Sequence, residues 1–128
     1  MMREILFRGK MKDGGQWLFG DLRQWSEKRI GIFDFQLKRT LEVDPSTMGQ
    51  FTGLTDKNGK RIFEGDIIEN IDGRAIVFFD KTPCGFYMRF LDAYDDTPLD
   101  MGEMWDETEV IGNIHDNPEL LEGGGKDA

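Results

Sequence analysis

Residues 50–68 constrain this chain more than any other stretch, because a four-residue turn signal sits there between two short apolar runs. Asp56-Lys57-Asn58-Gly59 suits a type I turn closed by a left-handed glycine. Asp56 is placed to bond the backbone ahead of it, and Asn58 and Gly59 accept the conformations required. Residues 51–55 and 60–63 flank the turn as two short strands, so the block predicts a hairpin. Glu64-Gly65-Asp66 then bends the chain into a third strand, with Gly65 taking backbone angles that other residues resist.

The remainder keeps the same rhythm. Residues 4–8 and 16–22 read as strands joined by a Gly14-Gly15 turn, hence an N-terminal hairpin. Residues 29–35 form a third strand, with Ile30 and Ile32 on one face and Gly31 leaving the other open for close backbone approach. Residues 40–43 alternate, and Asp44-Pro45-Ser46 ends them. Beyond the central block, residues 66–71 and 74–79 are strands around an Asp72-Gly73 turn. Ile76 to Phe79 are apolar without a break, as expected where both faces are covered. Phe86, Met88 and Phe90 mark one face of the next strand, and residues 109–114 make the last. Asn117-Pro118-Glu119 then predicts a short helix, with Asn117 as its cap and Pro118 in its first position; Gly123-Gly124-Gly125 stops it. Strands this short between such turns predict a mainly β chain, a barrel or a sandwich. With 128 residues, 38% hydrophobic and 12% aromatic, the chain suffices for one folded domain.

Charge is distributed unevenly. Residues 1–91 hold 15 basic and 13 acidic side chains, while residues 92–128 hold one basic and 12 acidic, which together give the net −9. Phosphate backbones would repel such a chain, so direct nucleic-acid binding is not expected. No apolar run approaches the roughly 20 residues of a spanning helix, and the start lacks the apolar stretch of a signal peptide. The single cysteine, Cys84, leaves no intramolecular disulfide. A reducing cytoplasm is the expected compartment, with no membrane association.

Chemistry-bearing residues are sparse. Cys84 and His115 are the only thiol and imidazole, and neither stands in a catalytic motif. A structural zinc site takes four ligands, so no metal is expected. The carboxylates Asp92, Asp95, Asp96 and Asp100 lack the alternating ligand spacing and central glycine of a calcium loop. No phosphate-binding loop surrounds Gly9, Gly14, Gly15 or Gly20, and no cofactor is implied. Trp17, Trp25 and Trp105 include a candidate stacking platform for a base or a peptide.

Three anchors resemble the YopX family, small proteins found mainly in phages and prophages of bacteria. The first is Arg3-Glu4-Ile5-Leu6-Phe7-Arg8. The second runs through Gly49-Gln50-Phe51-Thr52-Gly53-Leu54, Asp56-Lys57-Asn58-Gly59-Lys60 and Ile62-Phe63-Glu64-Gly65-Asp66-Ile67-Ile68. The third is Val110-Ile111-Gly112-Asn113-Ile114 with Asn117-Pro118-Glu119-Leu120. Phe51 and Phe63 stand where the family more often has Tyr, and residues 92–107 are not fixed by it. The resemblance implies an SH3-like barrel core over about 45–116, an N-terminal hairpin region over about 1–44, and a short helix with a tail over 117–128. It implies no activity, substrate or cofactor, and a barrel of this kind serves many purposes.

By elimination the expected function is a non-catalytic binding module with a protein partner; the resemblance implies that it is phage-associated, that it acts in the cytoplasm of a bacterial host, and that the partner comes from host or phage. The expected surface is the acidic segment containing Asp95, Asp96, Asp100, Glu103, Asp106 and Glu107, which sets up a negative potential toward a basic partner. A sharper version makes it an acidic mimic of nucleic acid or an inhibitor of a host protein. An enzyme built on scattered carboxylates is the less favoured alternative, and buried carboxylates beside a pocket would favour it. A homo-oligomer through a sheet edge is also open.

Overall fold

The computed structural model describes residues 4–81, 84–91 and 107–122, together with the backbone of 99–100. It divides into two compact units, Met1–Gly53 and Leu54–Ala128. Both are built from antiparallel strands, and neither sheet closes into a barrel among the described residues. Among those residues no helix is long and apolar enough to cross a membrane.

In the first unit, strands β1 (Phe7–Lys10), β2 (Trp17–Ser26), β3 (Arg29–Asp34), β4 (Arg39–Val43) and β5 (Gly49–Thr55) lie in the order β4-β3-β2-β1-β5. The predicted N-terminal hairpin is present as β1–β2, with Phe7 opposite Gly20 and Lys10 opposite Trp17. Leu18, Ile30, Ile32 and Val43 form the core, with Phe7, Met11, Leu22, Leu41 and Met48 packed on it. Strand β4 is tied back toward β1: Met11 bridges Val43, and the Asp44 amide donates to the Lys10 carbonyl at 2.8 Å. The Asp44 carboxylate then accepts from the Ser46 amide and hydroxyl, folding Pro45–Thr47 into a single 3₁₀ turn.

Strand β5 ends in the second unit, where it makes the predicted hairpin with β6 (Arg61–Phe63). Gly59 has φ +83°, the left-handed conformation its place in the turn requires. Asp56 is buried, and its Oδ1 accepts from the amides of Asn58 at 2.8 Å and Lys60 at 2.9 Å. Its Oδ2 accepts from the Val110 amide at 2.9 Å, a tie to a strand 54 residues away. At the next bend the buried Asp66 carboxylate accepts from the Phe63 amide at 2.7 Å, and Gly65 has φ +93°.

The second sheet contains β7 (Asp66–Asn70), β8 (Gly73–Asp80), β9 (Gly85–Phe90), β10 (Leu99–Asp100) and β11 (Glu109–Asn113), in the order β10-β9-β8-β7-β11. Ile62, Ile68, Ala75, Val77, Met88 and Val110 make its core, flanked by Leu54, Phe86 and Phe90. Two expectations change here. The run from Ile76 to Phe79 is not covered on both faces: Ala75 and Val77 are fully buried on one face, Ile76 and Phe78 on the other are only partly buried, and Phe79 is 45% exposed where the strand runs out past the core. The C-terminal helix is one 3₁₀ turn, Pro118–Leu121, and the Asn117 side chain does not cap it. Instead Asn117 Oδ1 accepts from the Asn113 amide at 3.2 Å, next to Gly112, where a Cβ would stand 2.6 Å from that oxygen.

Candidate interaction face

Alternation along β2 and β3 separates a core face from an outer face. Leu18, Ile30 and Ile32 go inward, whereas Phe19, Asp21 and Arg23 of β2 and Phe33 of β3 are exposed. The register sets Asp21 beside Phe33 and Phe33 beside Thr40, and sets Arg23 beside Gly31 and Gly31 beside Glu42. Asp21, Leu22, Arg23, Phe33 and Thr40 line a shallow groove of about 450 Å³.

A β-bulge between Gln24 and Ser26 re-aims Trp25, which is 46% exposed. Its ring lies over Gly31. A Cβ there would stand 2.9 Å from Trp25 Cη2, 2.9 Å from the Leu41 carbonyl oxygen and 3.1 Å from Thr40 Cγ2. Gly31 therefore leaves room for a side chain as well as for backbone. Arg29 stacks its guanidinium 5.1 Å from the Trp25 ring and holds Glu42 through two bonds, from Nε at 3.2 Å and from a terminal nitrogen at 3.3 Å. Lys12 reaches the same carboxylate at 3.4 Å. The bonds from Arg29, aided by Lys12, hold Glu42 below its ordinary pKa.

At the other end of the face, Asp34 fixes the turn that follows β3. It is buried, and its carboxylate accepts from the amides of Gln36 and Leu37, both at 2.8 Å, and of Phe19 at 3.1 Å. Burial alone would raise its pKa; the amides of Leu37, Phe19 and Gln36 outweigh that and lower it. The turn displays Phe35, 48% exposed, whose ring meets Phe33 edge-on at 6.3 Å, and Leu37 beside it. Four exposed aromatics, Phe19, Trp25, Phe33 and Phe35, thus stand on β2, β3 and the turn behind them.

Most of the sequence-predicted surface lies outside the described residues. Asp95, Asp96, Glu103, Asp106 and Trp105 lie outside the described residues, Asp100 is placed only by its backbone pairing with Tyr87, and Glu107 is exposed. Trp17 is half-buried, with Arg8 at 4.7 Å and Lys10 at 5.6 Å from its ring. Cys84 sits exposed in the turn before β9, and His115 follows β11, its amide donating to Asn113 Oδ1 at 2.9 Å. Among the described residues no group of three His, Cys, Asp or Glu side chains is arranged to hold a metal. The buried carboxylates Asp34, Asp56 and Asp66 each accept backbone amides at a turn. Sequence reading named Trp25 as a candidate stacking residue but missed Phe19, Phe33 and Phe35 beside it, although part of the signal was present in the alternation Phe19-x-Asp21-x-Arg23-x-Trp25.

A family model described as YopX protein matches residues 6–122. The chain belongs to the YopX family. Among solved structures, this YopX-family chain is similar to the crystal structure of protein EF1440 from Enterococcus faecalis, at 26% identity and a TM-score of 0.54. That similarity covers 94% of this chain and 100% of the other. No curated protein matches it. The aromatic face lies within the span that the YopX model matches.

Proposed function

We infer that this YopX-family chain is a non-catalytic binding module, acting in the cytoplasm of a phage-carrying bacterial host, and that the outer face of β2–β3–β4 receives a protein partner. The SH3-like reading of the second unit, as a curled sheet presenting loops, belongs to the same proposal. One observation carries it: four exposed aromatics share a face with a groove and with charged side chains. Rigid aromatic anchors among polar neighbours are what energetic centres of protein interfaces contain. Trp25 is such an anchor, fixed by a bulge beneath it and a guanidinium beside it. The acidic segment is a second reading, favoured by the 12 acids against one base in residues 92–128.

A photo-cross-linking amino acid at position 33, introduced in the bacterial host, tests the proposal. It should give a discrete cross-linked product that is lost with Trp25→Ala at an unchanged melting midpoint, and absent when the probe is at exposed Lys57. If no product forms at position 33, the aromatic face is not a binding surface. If the product instead disappears when Asp95, Asp96, Asp100, Glu103, Asp106 and Glu107 are changed to Asn or Gln, the acidic segment carries the contact.

A further inference from the structure

We propose that the partner on this face is a second copy of the chain, packed so that β2 crosses β2 in antiparallel fashion about a twofold axis. The inference rests on the reading of the aromatic face as a binding surface, and it adds the identity and register of the occupant.

Beyond the half-buried Trp17, the exposed outward residues of β2 read aromatic, acid, base, aromatic: Phe19, Asp21, Arg23, Trp25. A twofold axis perpendicular to the strand and centred at Leu22 reverses that order. It sets Asp21 against the partner's Arg23, Arg23 against the partner's Asp21, and Phe19 against the partner's Trp25. Twofold contacts require a patch complementary to itself, and few patterns of four side chains meet that requirement in both charge and shape. Neither the Asp21 nor the Arg23 side chain makes a hydrogen bond or ion pair among the described residues, although both are exposed and line one groove. Two residues apart on one strand, their Cβ atoms are about 7 Å from each other, so each charge is left available.

The neighbouring strand fits the same operation. Phe33 pairs in register with Asp21 and Gly31 with Arg23. The axis therefore puts Phe33 over the partner's Gly31, against the Trp25 ring that lies there. At each of the two equivalent positions Phe33 therefore meets the Trp25 ring for which Gly31 leaves room, and sheets packed face to face at about 10 Å bring such side chains into contact. Charge at long range permits it too. The first unit holds 9 basic and 7 acidic residues, net +2, while the second holds 7 and 18, net −11. Association through the first unit brings together the surfaces that repel least. A three-stranded face is small for an obligate dimer, so the association is reversible and concentration-dependent.

Sedimentation velocity over a concentration series tests this with Asp21→Arg, Arg23→Asp and their double exchange. The wild-type chain should sediment as a monomer–dimer equilibrium. Each single variant sets like charges opposite one another twice and should weaken self-association by about tenfold or more, with an unchanged melting midpoint because both residues are exposed. The double exchange should dimerise again. An equimolar mixture of the two single variants should form a heterodimer, since the two basic side chains of the Asp21→Arg copy then face the two acidic side chains of the Arg23→Asp copy. Wild-type protein that stays monomeric throughout, single variants that dimerise like wild type, or single variants that fail to associate when mixed would each overturn the proposal. A monomeric wild type that still yields a cross-linked product at position 33 would sink the second copy as occupant while leaving the binding face standing. Absence of any product would remove both.

Discussion

At the scale of single residues, the chain uses aspartates as acceptors for turn backbone. Asp56 shows the device most fully, with three amides on one buried carboxylate. Burial raises its pKa, but the amides of Val110, Lys60 and Asn58, helped by the Lys60 charge, outweigh that and hold the carboxyl below its ordinary value of 3.8. The folded-state value is therefore depressed. The stability it contributes is present above the ordinary value and is lost as pH falls through the folded value. Asp56→Asn keeps an acceptor for the turn but turns an amide donor toward the Val110 amide. The loss should be about 1–3 kcal/mol at neutral pH. Urea denaturation as a function of pH should show this loss together with a flatter acid limb. An acid limb as steep as wild type would mean that Asp56 is not a source of the acid sensitivity.

Elements show why some of the architecture is legible in the sequence and some is not. The hairpin around Asp56-Lys57-Asn58-Gly59 and the one at Asp72-Gly73 are readable because their determinants sit within four residues: a carboxylate or amide oxygen, then a glycine at positive φ. The cap assigned to Asn117 is misread because its oxygen serves β11, a choice made by where the 3₁₀ turn packs. Gly112 records that packing. Gly112→Ala should destabilise through a 2.6 Å approach to Asn117 Oδ1 and a 3.0 Å approach to Leu120 Cδ1. Asn117→Ala should lose the hydrogen bond to the Asn113 amide, costing about 1 kcal/mol. The double variant should lose less than the sum, because removing Asn117 frees the space the new methyl needs. Strict additivity in thermal melts would separate the two sites. The bulge at Trp25 is likewise unreadable: nothing local in Gln24-Trp25-Ser26 announces an extra residue, and only the register with Ile30 and Arg29 reveals it.

For the molecule as a whole, each unit has a core made of its own residues. Leu18, Ile30, Ile32 and Val43 serve the first; Ile62, Ile68, Ala75, Val77, Met88 and Val110 serve the second. Their apolar alternation made the mainly β class legible, whereas strand order and closure depend on long-range pairings that no short window contains. Ile32→Ala and Ile68→Ala should each cost about 2–5 kcal/mol. Hydrogen exchange read by mass spectrometry should place the first loss of protection in β2–β4 for Ile32→Ala and in β7–β9 for Ile68→Ala. Equal loss everywhere from either change would mean that the two cores open as one.

The bond from the Val110 amide to Asp56 also sets a schedule. The turn at 56–60 leaves the ribosome 54 residues ahead of its third donor, an interval of ~3–10 s at ordinary rates of synthesis. Until β11 emerges the Asp56 carboxylate lacks its Val110 donor, and β7, once made, has at most β8 of its two neighbours. The second sheet is thus completed only when β11 is made. A pause or truncation before β11 would release a chain in which β7, an inner strand of the finished sheet, is an exposed edge.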